Sequence, residues 1–148
     1  MKHEPKKDPK AWVTERHNYW YGYLRNWCLH AGINPPLSPR CETVIDGYKK
    51  AGWYSQGPGS LRSCTYDLAY VIVAGERYDE TIAHEMCHAF QRTVANGKTH
   101  KHGEIFFFLL NVVCKIPRGK FHNYDCNKAK AIAKIMNMQV KISACTGK

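Results

Sequence analysis

Apolar side chains near the start of the chain recur every three or four residues, as they do along one face of a helix. The pattern starts at Ala11 and ends where Gly32 and then Pro35 and Pro36 interrupt it. We therefore predict an N-terminal helix from Ala11, preceded by a flexible basic tail at residues 1–10. The helix has an aromatic stripe typical of core packing, which consists of Trp20, Tyr23, Leu24, Trp27, Cys28 and Ala31.

Between residues 33 and 78 the apolar stretches become short and are broken by Gly, Pro and Ser. This composition is typical of strands that are joined by tight turns. We predict a small antiparallel sheet with strands near 42–46, 51–56, 62–67 and 69–74. The last of these has the clearest pattern, because one tyrosine and three β-branched residues follow one another in it.

Longer apolar periods return in the second half of the chain and predict helices. One pattern starts at Asp79, a suitable N-cap, and ends at Asn96-Gly97, a typical helix end. Residues 105–114 are nearly all apolar and predict a buried helix that ends before Pro117. Residues 129–138 predict a last helix with lysines on its polar face.

The composition indicates one folded domain. The chain has 148 residues, of which 44% are hydrophobic, so it can form a core without disulfides. We assign residues 11–148 to a single α+β domain with an N-terminal helix, a small antiparallel sheet and later helices. Its seven cysteines are widely spaced, with no C-x-x-C pair, which favours reduced and mostly buried thiols.

The charged N-terminus lacks the apolar segment of a secretory signal, and no apolar run has the length of a membrane span. We therefore expect a protein that is not secreted and has no membrane partner. Its expected location is the cytoplasm, or the nucleus if the source is a eukaryote.

The candidate chemistry lies in the motif H-E-x-x-H, formed by His84, Glu85 and His88. Residues four apart on a helix lie on one face with Cβ atoms about 5–6 Å apart, so both imidazoles can bind one metal ion. Glu85 lies one step around the helix, beside the remaining coordination position, where it can accept a proton from water. A catalytic zinc site usually has three protein ligands, and His100 and His102 are both candidates for the third.

Two segments around these histidines carry a resemblance. Residues 80–89 read ETIAHEMCHA, and residues 102–106 read HGEIF. They resemble the patterns E-T-x-x-H-E-x-x-H-A and H-G-x-x-[FW] of the SprT-like (Spartan-type) zinc metalloprotease family. The resemblance is clear over residues 79–106 and weaker over the strand region before them. Many members also carry a C-terminal four-cysteine ribbon, which this chain lacks.

The resemblance implies a zincin-like domain with Zn²⁺ as its cofactor. It implies His84, His88 and His102 as the zinc ligands and Glu85 as the catalytic general base. It favours His102 over His100, because only His102 is followed by glycine and then an aromatic residue at the family's spacing.

Positive charge is concentrated in the last third of the chain. The net charge is +10, of which residues 1–97 contribute +2 and residues 98–148 contribute +8. Such asymmetry is typical of proteins that bind a polyanion, most often nucleic acid, although a merely soluble basic surface has the same composition. Lys115, Arg118 and Lys120 form a basic stretch, and we take them as the candidate DNA contacts.

The resemblance implies a zinc-dependent endopeptidase whose protein substrates are associated with DNA or crosslinked to it, as in DNA repair. Two alternatives stay open from the sequence. One is a nucleic-acid-binding protein with a structural zinc, which would need a fourth ligand such as Cys87 or His100. The other is an H-E-x-x-H peptidase of a different family that cleaves a repressor.

Overall fold

The structure is a computed structural model, and it describes residues 3–48, 50–57, 61–95, 102–117 and 124–145. The first helix, α1 (Pro9–His30), begins two residues before the predicted start. Proline suits the first helical position, and the Asp8 carboxylate accepts a hydrogen bond from the Ala11 N–H at 3.3 Å. The boundary between tail and domain at residue 10 stays a prediction.

The aromatic stripe of α1 lies on the inner face of the helix, as the periodicity predicts. Trp20, Leu24 and Cys28 are buried, and Tyr23 and Trp27 pack against the core while partly exposed. Ala31 is the exception, because it lies exposed after the end of the helix.

The sheet contains β1 (Arg40–Val44), β2 (Gly52–Gln56) and β3 (Arg62–Asp67), in the order β1-β3-β2. β2 is antiparallel to β3, whereas β1 is parallel to it. The sheet is therefore mixed, and the prediction of an antiparallel sheet was wrong at β1. The chain crosses from one edge of the sheet to the other between β1 and β2, and the alternation of residues within a strand carries no information about that crossing.

The predicted strand at residues 69–74 was also wrong, because this segment forms the short helix α2 (Leu68–Ala74). The Asp67 side chain accepts a hydrogen bond from the Ala69 N–H at 3.0 Å and caps the helix. α2 is buried on most of its surface, and a short apolar run of this kind fits a buried strand and a buried helix equally well.

The motif helix, α3 (Tyr78–Val94), packs against α1 and lies beside β2. Asp79, predicted as its N-cap, lies inside the first turn instead. Its carboxylate accepts two hydrogen bonds from the Arg16 guanidinium, at 2.7 and 2.8 Å, and one from the Trp20 indole at 3.0 Å. These bonds attach the N-terminal end of the motif helix to α1.

The remaining helices differ from the predictions in detail. α4 (Glu104–Phe107) continues as a π-helical turn over Phe108–Val113. The segment predicted at 105–114 is therefore helical, but its second half has the wider π-helical winding.

The last helix, α5 (Cys126–Cys145), is twice the predicted length and packs against α2. The backbone of α5 at Ala129 lies so close to Gly47 that a Cβ at Gly47 would clash with the Ala129 carbonyl oxygen, and Gly47 also has a φ of +61°. Among the described residues, no helix combines the length and apolar character needed to cross a membrane.

Candidate metal centre

α3 carries the first half of the site on one face. His84 and Glu85 are 8% and 7% exposed, and His88 is partly exposed one turn further on. Most of the other residues of this helix are buried, which holds the backbone of the three motif residues in place.

The chain returns to α3 at His102, just before α4. The nearest ligand atoms of His84, His88 and His102 all lie within 4.8 Å of one another, and the three ring centroids are 4.9–5.2 Å apart. The His84 and His102 Nε2 atoms are 3.3 Å apart. Two nitrogens bound to one tetrahedral zinc at about 2.05 Å would be separated by about 3.3 Å. The His84 and His102 nitrogens therefore have the spacing that one such ion requires, and a His88 nitrogen lies within 4.8 Å of both.

Phe106 explains why an aromatic residue follows His102 at a fixed distance. This side chain is fully buried, and its ring contacts all three imidazoles, with centroids 4.7 Å from His84, 4.4 Å from His88 and 4.9 Å from His102. The ring packs nearly parallel to His88 and at steep angles to the other two. A single buried aromatic thus fixes the orientation of the three histidines.

The electrostatics of the site keep His84 neutral. Burial, together with smaller effects of the neighbouring His88 and His102 in the same direction, lowers the pKa of this imidazole from 6.5 to about 3. A neutral imidazole has a free lone pair, so His84 can bind a metal at neutral pH without first losing a proton.

Glu85 lies at the edge of the cluster, with Oε2 at 4.0 Å from the His84 Nε2. Burial raises the pKa of its carboxyl to about 8, against the opposing effects of the Lys50 charge and a hydrogen bond from the Tyr54 backbone. A cation held by the three histidines would lower this pKa again. The position and the shifted pKa are both suited to a group that exchanges a proton.

Gln91 is a site residue that the sequence analysis missed. It is 3% exposed, and its Oε1 lies 3.3 Å from the His88 Nδ1. If Nδ1 carries the proton and donates to this oxygen, Nε2 is left with a free lone pair. An amide three residues after the second motif histidine, on the helix face that carries His84 and His88, is the signal that could have identified it.

Several other predicted residues lie elsewhere. His100, Arg118 and Lys120 lie outside the described residues. Lys115 is exposed directly after the π-helical turn, with a φ of +60°. Cys87 is fully buried and faces Cys114, with their Sγ atoms 3.7 Å apart.

The side chain of Tyr124 also lies beside the motif helix. Its hydroxyl is 2.8 Å from the Thr81 Oγ1, and its ring stacks on Tyr78. Thr81 lies one turn before His84 and Glu85, so this hydroxyl is near the same face of α3.

The chain is an α+β domain in which two histidines and a buried glutamate of an H-E-x-x-H helix meet a third histidine from outside that helix. This combination defines a metallopeptidase-type domain. The family model of the SprT-like family matches residues 40–127, which is more than half of the chain, and the protein belongs to this family. The matched segment runs from β1 to the start of α5 and contains all three histidines. The searches of curated proteins and of solved structures found no significant match.

Proposed function

We propose that the protein is a zinc-dependent endopeptidase that acts on proteins associated with DNA or crosslinked to it. The observation that carries the proposal is the convergence of His84, His88 and His102, whose ligand atoms all lie within 4.8 Å of one another, with Glu85 directly beside them. Membership of the SprT-like family supports the same reading.

The residues have separate roles in this proposal. The three histidines would hold Zn²⁺, which when bound polarises a peptide carbonyl and acidifies water. Glu85 would accept a proton from the attacking water and deliver it to the leaving amine. Gln91 would hold His88, and Phe106 would keep the three imidazoles in one arrangement.

An extended peptide has a place to bind next to Glu85. Within the described part of the chain, β2 pairs only with β3, so it forms an edge of the sheet, and it packs beside α3. The Tyr54 backbone on this strand hydrogen-bonds to the Glu85 carboxyl. A substrate segment that pairs with the edge strand would therefore run past the proton-accepting group.

The proposed link to DNA rests on charge. The segment 98–148 carries +8, and Lys115 is exposed shortly after the π-helical turn. Such a basic segment would hold the protein on DNA and raise the local concentration of DNA-bound substrates.

A structural zinc is the weaker reading. The described residues contain one group of histidine, cysteine and acidic side chains able to hold a metal, and it has three members. A purely structural zinc usually has four protein ligands, whereas a catalytic zinc keeps one position open. Cys87, a conceivable fourth ligand, is directed at Cys114 instead.

The experiment combines metal analysis with a cleavage assay. We expect about one zinc per chain in the wild type, and loss of zinc in His84→Ala, His88→Ala and His102→Ala but not in His100→Ala. The purified protein should cleave a DNA-binding protein faster with DNA than without, stop after chelation, and recover when zinc is returned. If His102→Ala kept its full zinc content while His100→Ala lost zinc, the assignment of His102 as the third ligand would be overturned. If the wild type bound zinc but cleaved no protein, the proposed peptidase activity would be overturned.

A further inference from the structure

The last helix, α5, carries apolar side chains on two opposite faces. Its inner face packs on α2 and contains Ala129 and Ala133, which are 0% and 4% exposed. Ile132 and Met136 are partly buried on the same side. The Asn137 side chain also donates a hydrogen bond to the Ile45 carbonyl at 2.9 Å, which fixes the rotation of the helix against the domain.

The outer face of α5 has an apolar stripe that is largely exposed in the described structure. Ile135, Met138 and Ile142 are 57%, 61% and 61% exposed, and Ala131 is exposed one turn before them. Their spacing alternates between four and three residues, which is the repeat of a coiled-coil seam. A seam one side chain wide is narrower than the apolar face with which helices lie on membranes.

Lysines border this stripe. α5 contains four lysines and no aspartate or glutamate, and Lys134 and Lys141 each come directly before a stripe residue. These two positions flank the seam of a coiled coil, where charged residues select the partner. Both lysines are exposed, and neither forms an ion pair within the described part of the chain.

We propose that the outer face of α5 is a docking site for an acidic amphipathic helix of another protein. The partner's apolar residues would pack on Ile135, Met138 and Ile142, and its carboxylates would pair with Lys134 and Lys141. A second copy of the chain fits less well, because it would bring four more lysines on α5 and another net charge of +10. DNA does not account for the three exposed apolar side chains. The inference is independent of the peptidase activity.

The probe is a designed helical peptide of 21 residues, with leucine at the two seam positions of each heptad and glutamate at the flanking positions. We expect the full chain to bind it in a fluorescence anisotropy titration, and to bind a peptide with lysine at the flanking positions at least tenfold more weakly. Added salt should weaken the binding of the glutamate peptide.

The variant Ile135→Gln/Met138→Gln/Ile142→Gln should lose at least tenfold in affinity, while its circular dichroism and zinc content stay unchanged. Gln keeps helix propensity, so the exposed helix is retained. The matched control is Val140→Gln, because Val140 is 57% exposed but lies on the inner side of the helix, and it should bind normally. The variant Lys134→Glu/Lys141→Glu should now prefer the lysine peptide.

Each contrary outcome would overturn the proposal. These are equal affinity for both peptides, no binding of the glutamate peptide, or an equal loss in Val140→Gln and the triple variant. A dimer that forms with concentration and disappears in the triple variant would assign the face to a second copy. Binding to vesicles of phosphatidylserine and phosphatidylcholine, but not to the peptide, would assign it to a membrane surface.

Discussion

Metal binding at this site depends on which ring nitrogen of each histidine carries the proton. His88 is the clearest case, because its Nδ1 faces the Gln91 Oε1 at 3.3 Å and its ring stacks on Phe106 at 4.4 Å. Partners of this kind fix the tautomer and the ring orientation of a ligand before the metal arrives. The affinity of the site therefore depends on a residue that does not itself bind the ion.

We predict that Gln91→Leu weakens zinc binding about 10- to 100-fold, because leucine has nearly the same size but accepts no hydrogen bond. Competition with a zinc chelator measures the affinity, and ¹⁵N NMR reports the His88 tautomer. Gln91→Glu is the matched variant, since it keeps an acceptor oxygen and should retain binding. Equal zinc affinity for Gln91→Leu and the wild type would remove Gln91 from the site.

A second histidine, far from the cluster in sequence, is held neutral by burial. His17 lies between the Tyr66 hydroxyl, 2.8 Å from Nδ1, and the Pro39 carbonyl, 2.9 Å from Nε2. Burial lowers its pKa below the ordinary value of 6.5, although the hydrogen bond to Pro39 opposes the shift. Below pH 6.5 the unfolded chain binds a proton that the folded protein takes up only at lower pH, so acid reduces stability through this residue.

We predict that the free energy of unfolding falls more between pH 7.5 and pH 5.5 in the metal-free wild type than in His17→Gln. Urea titrations at the two pH values measure the difference. His84 has a lowered pKa too and shifts stability in the same direction, but it is present in both proteins and cancels in the comparison. Identical pH dependence in the two proteins would show that His17 does not couple stability to pH.

Among the elements, the junction of β3 and α2 depends on one carboxylate. Asp67 accepts hydrogen bonds from the Ala69 N–H at 3.0 Å, the Gly47 N–H at 2.7 Å and the Asp46 N–H at 3.3 Å. It therefore caps α2 and also holds the loop that crosses from β1 to the other side of the sheet. Gly47 in turn lies against the backbone of α5, so the same contact positions the last helix.

We predict that Asp67→Ala lowers the free energy of unfolding by about 2 kcal/mol or more. The change removes a helix cap worth about 0.5–2 kcal/mol and leaves a buried N–H unpaired at a cost of about 1–3 kcal/mol. Urea denaturation measures it. Asp46→Ala, at an exposed neighbour, should change stability by less than about 0.5 kcal/mol. Similar effects of the two substitutions would contradict this role.

The long helices and the hairpin of β2 and β3 could be predicted from sequence, because periodicity and turn residues are local signals. α2 could not, since its β-branched residues favour a strand and its cap is visible only when Asp67 is known to face the Ala69 N–H. The parallel pairing of β1 depends on a crossing that no local pattern encodes. At the site, the motif predicted His84, Glu85 and His88 and the family resemblance favoured His102, and the structure brings these three histidines together. The Gln91 contact is visible only in the folded helix.

For the whole molecule, charge is the property most relevant to partners. The first 97 residues are nearly balanced, and the remainder carries +8. Part of that charge lies on α5 and part in the stretch from Lys115 to Lys120, so the protein has two separate basic segments. In our two proposals, the stretch from Lys115 to Lys120 contacts DNA and the outer face of α5 binds an acidic helix.

We predict that the affinity for DNA is nearly independent of sequence and falls steeply with salt, with a log–log slope of about −0.9 per phosphate contacted on duplex DNA. Neutralising Lys115, Arg118 and Lys120 together should flatten this slope by up to about three units and leave zinc content unchanged. Lys134→Gln/Lys141→Gln is the control and should alter the slope less. Absence of DNA affinity in the wild type at low salt would end the recruitment proposal.

The central claim is that Glu85 performs the proton transfer of a peptidase. The most direct test is the cleavage rate of zinc-loaded Glu85→Gln, since Gln is nearly isosteric but cannot accept the proton. Glu76→Gln, at an exposed glutamate just before α3, is the matched control. We predict unchanged zinc content in all three proteins, a normal rate for Glu76→Gln, and a rate at least about 100-fold lower for Glu85→Gln. Cleavage by Glu85→Gln at the wild-type rate would contradict the account.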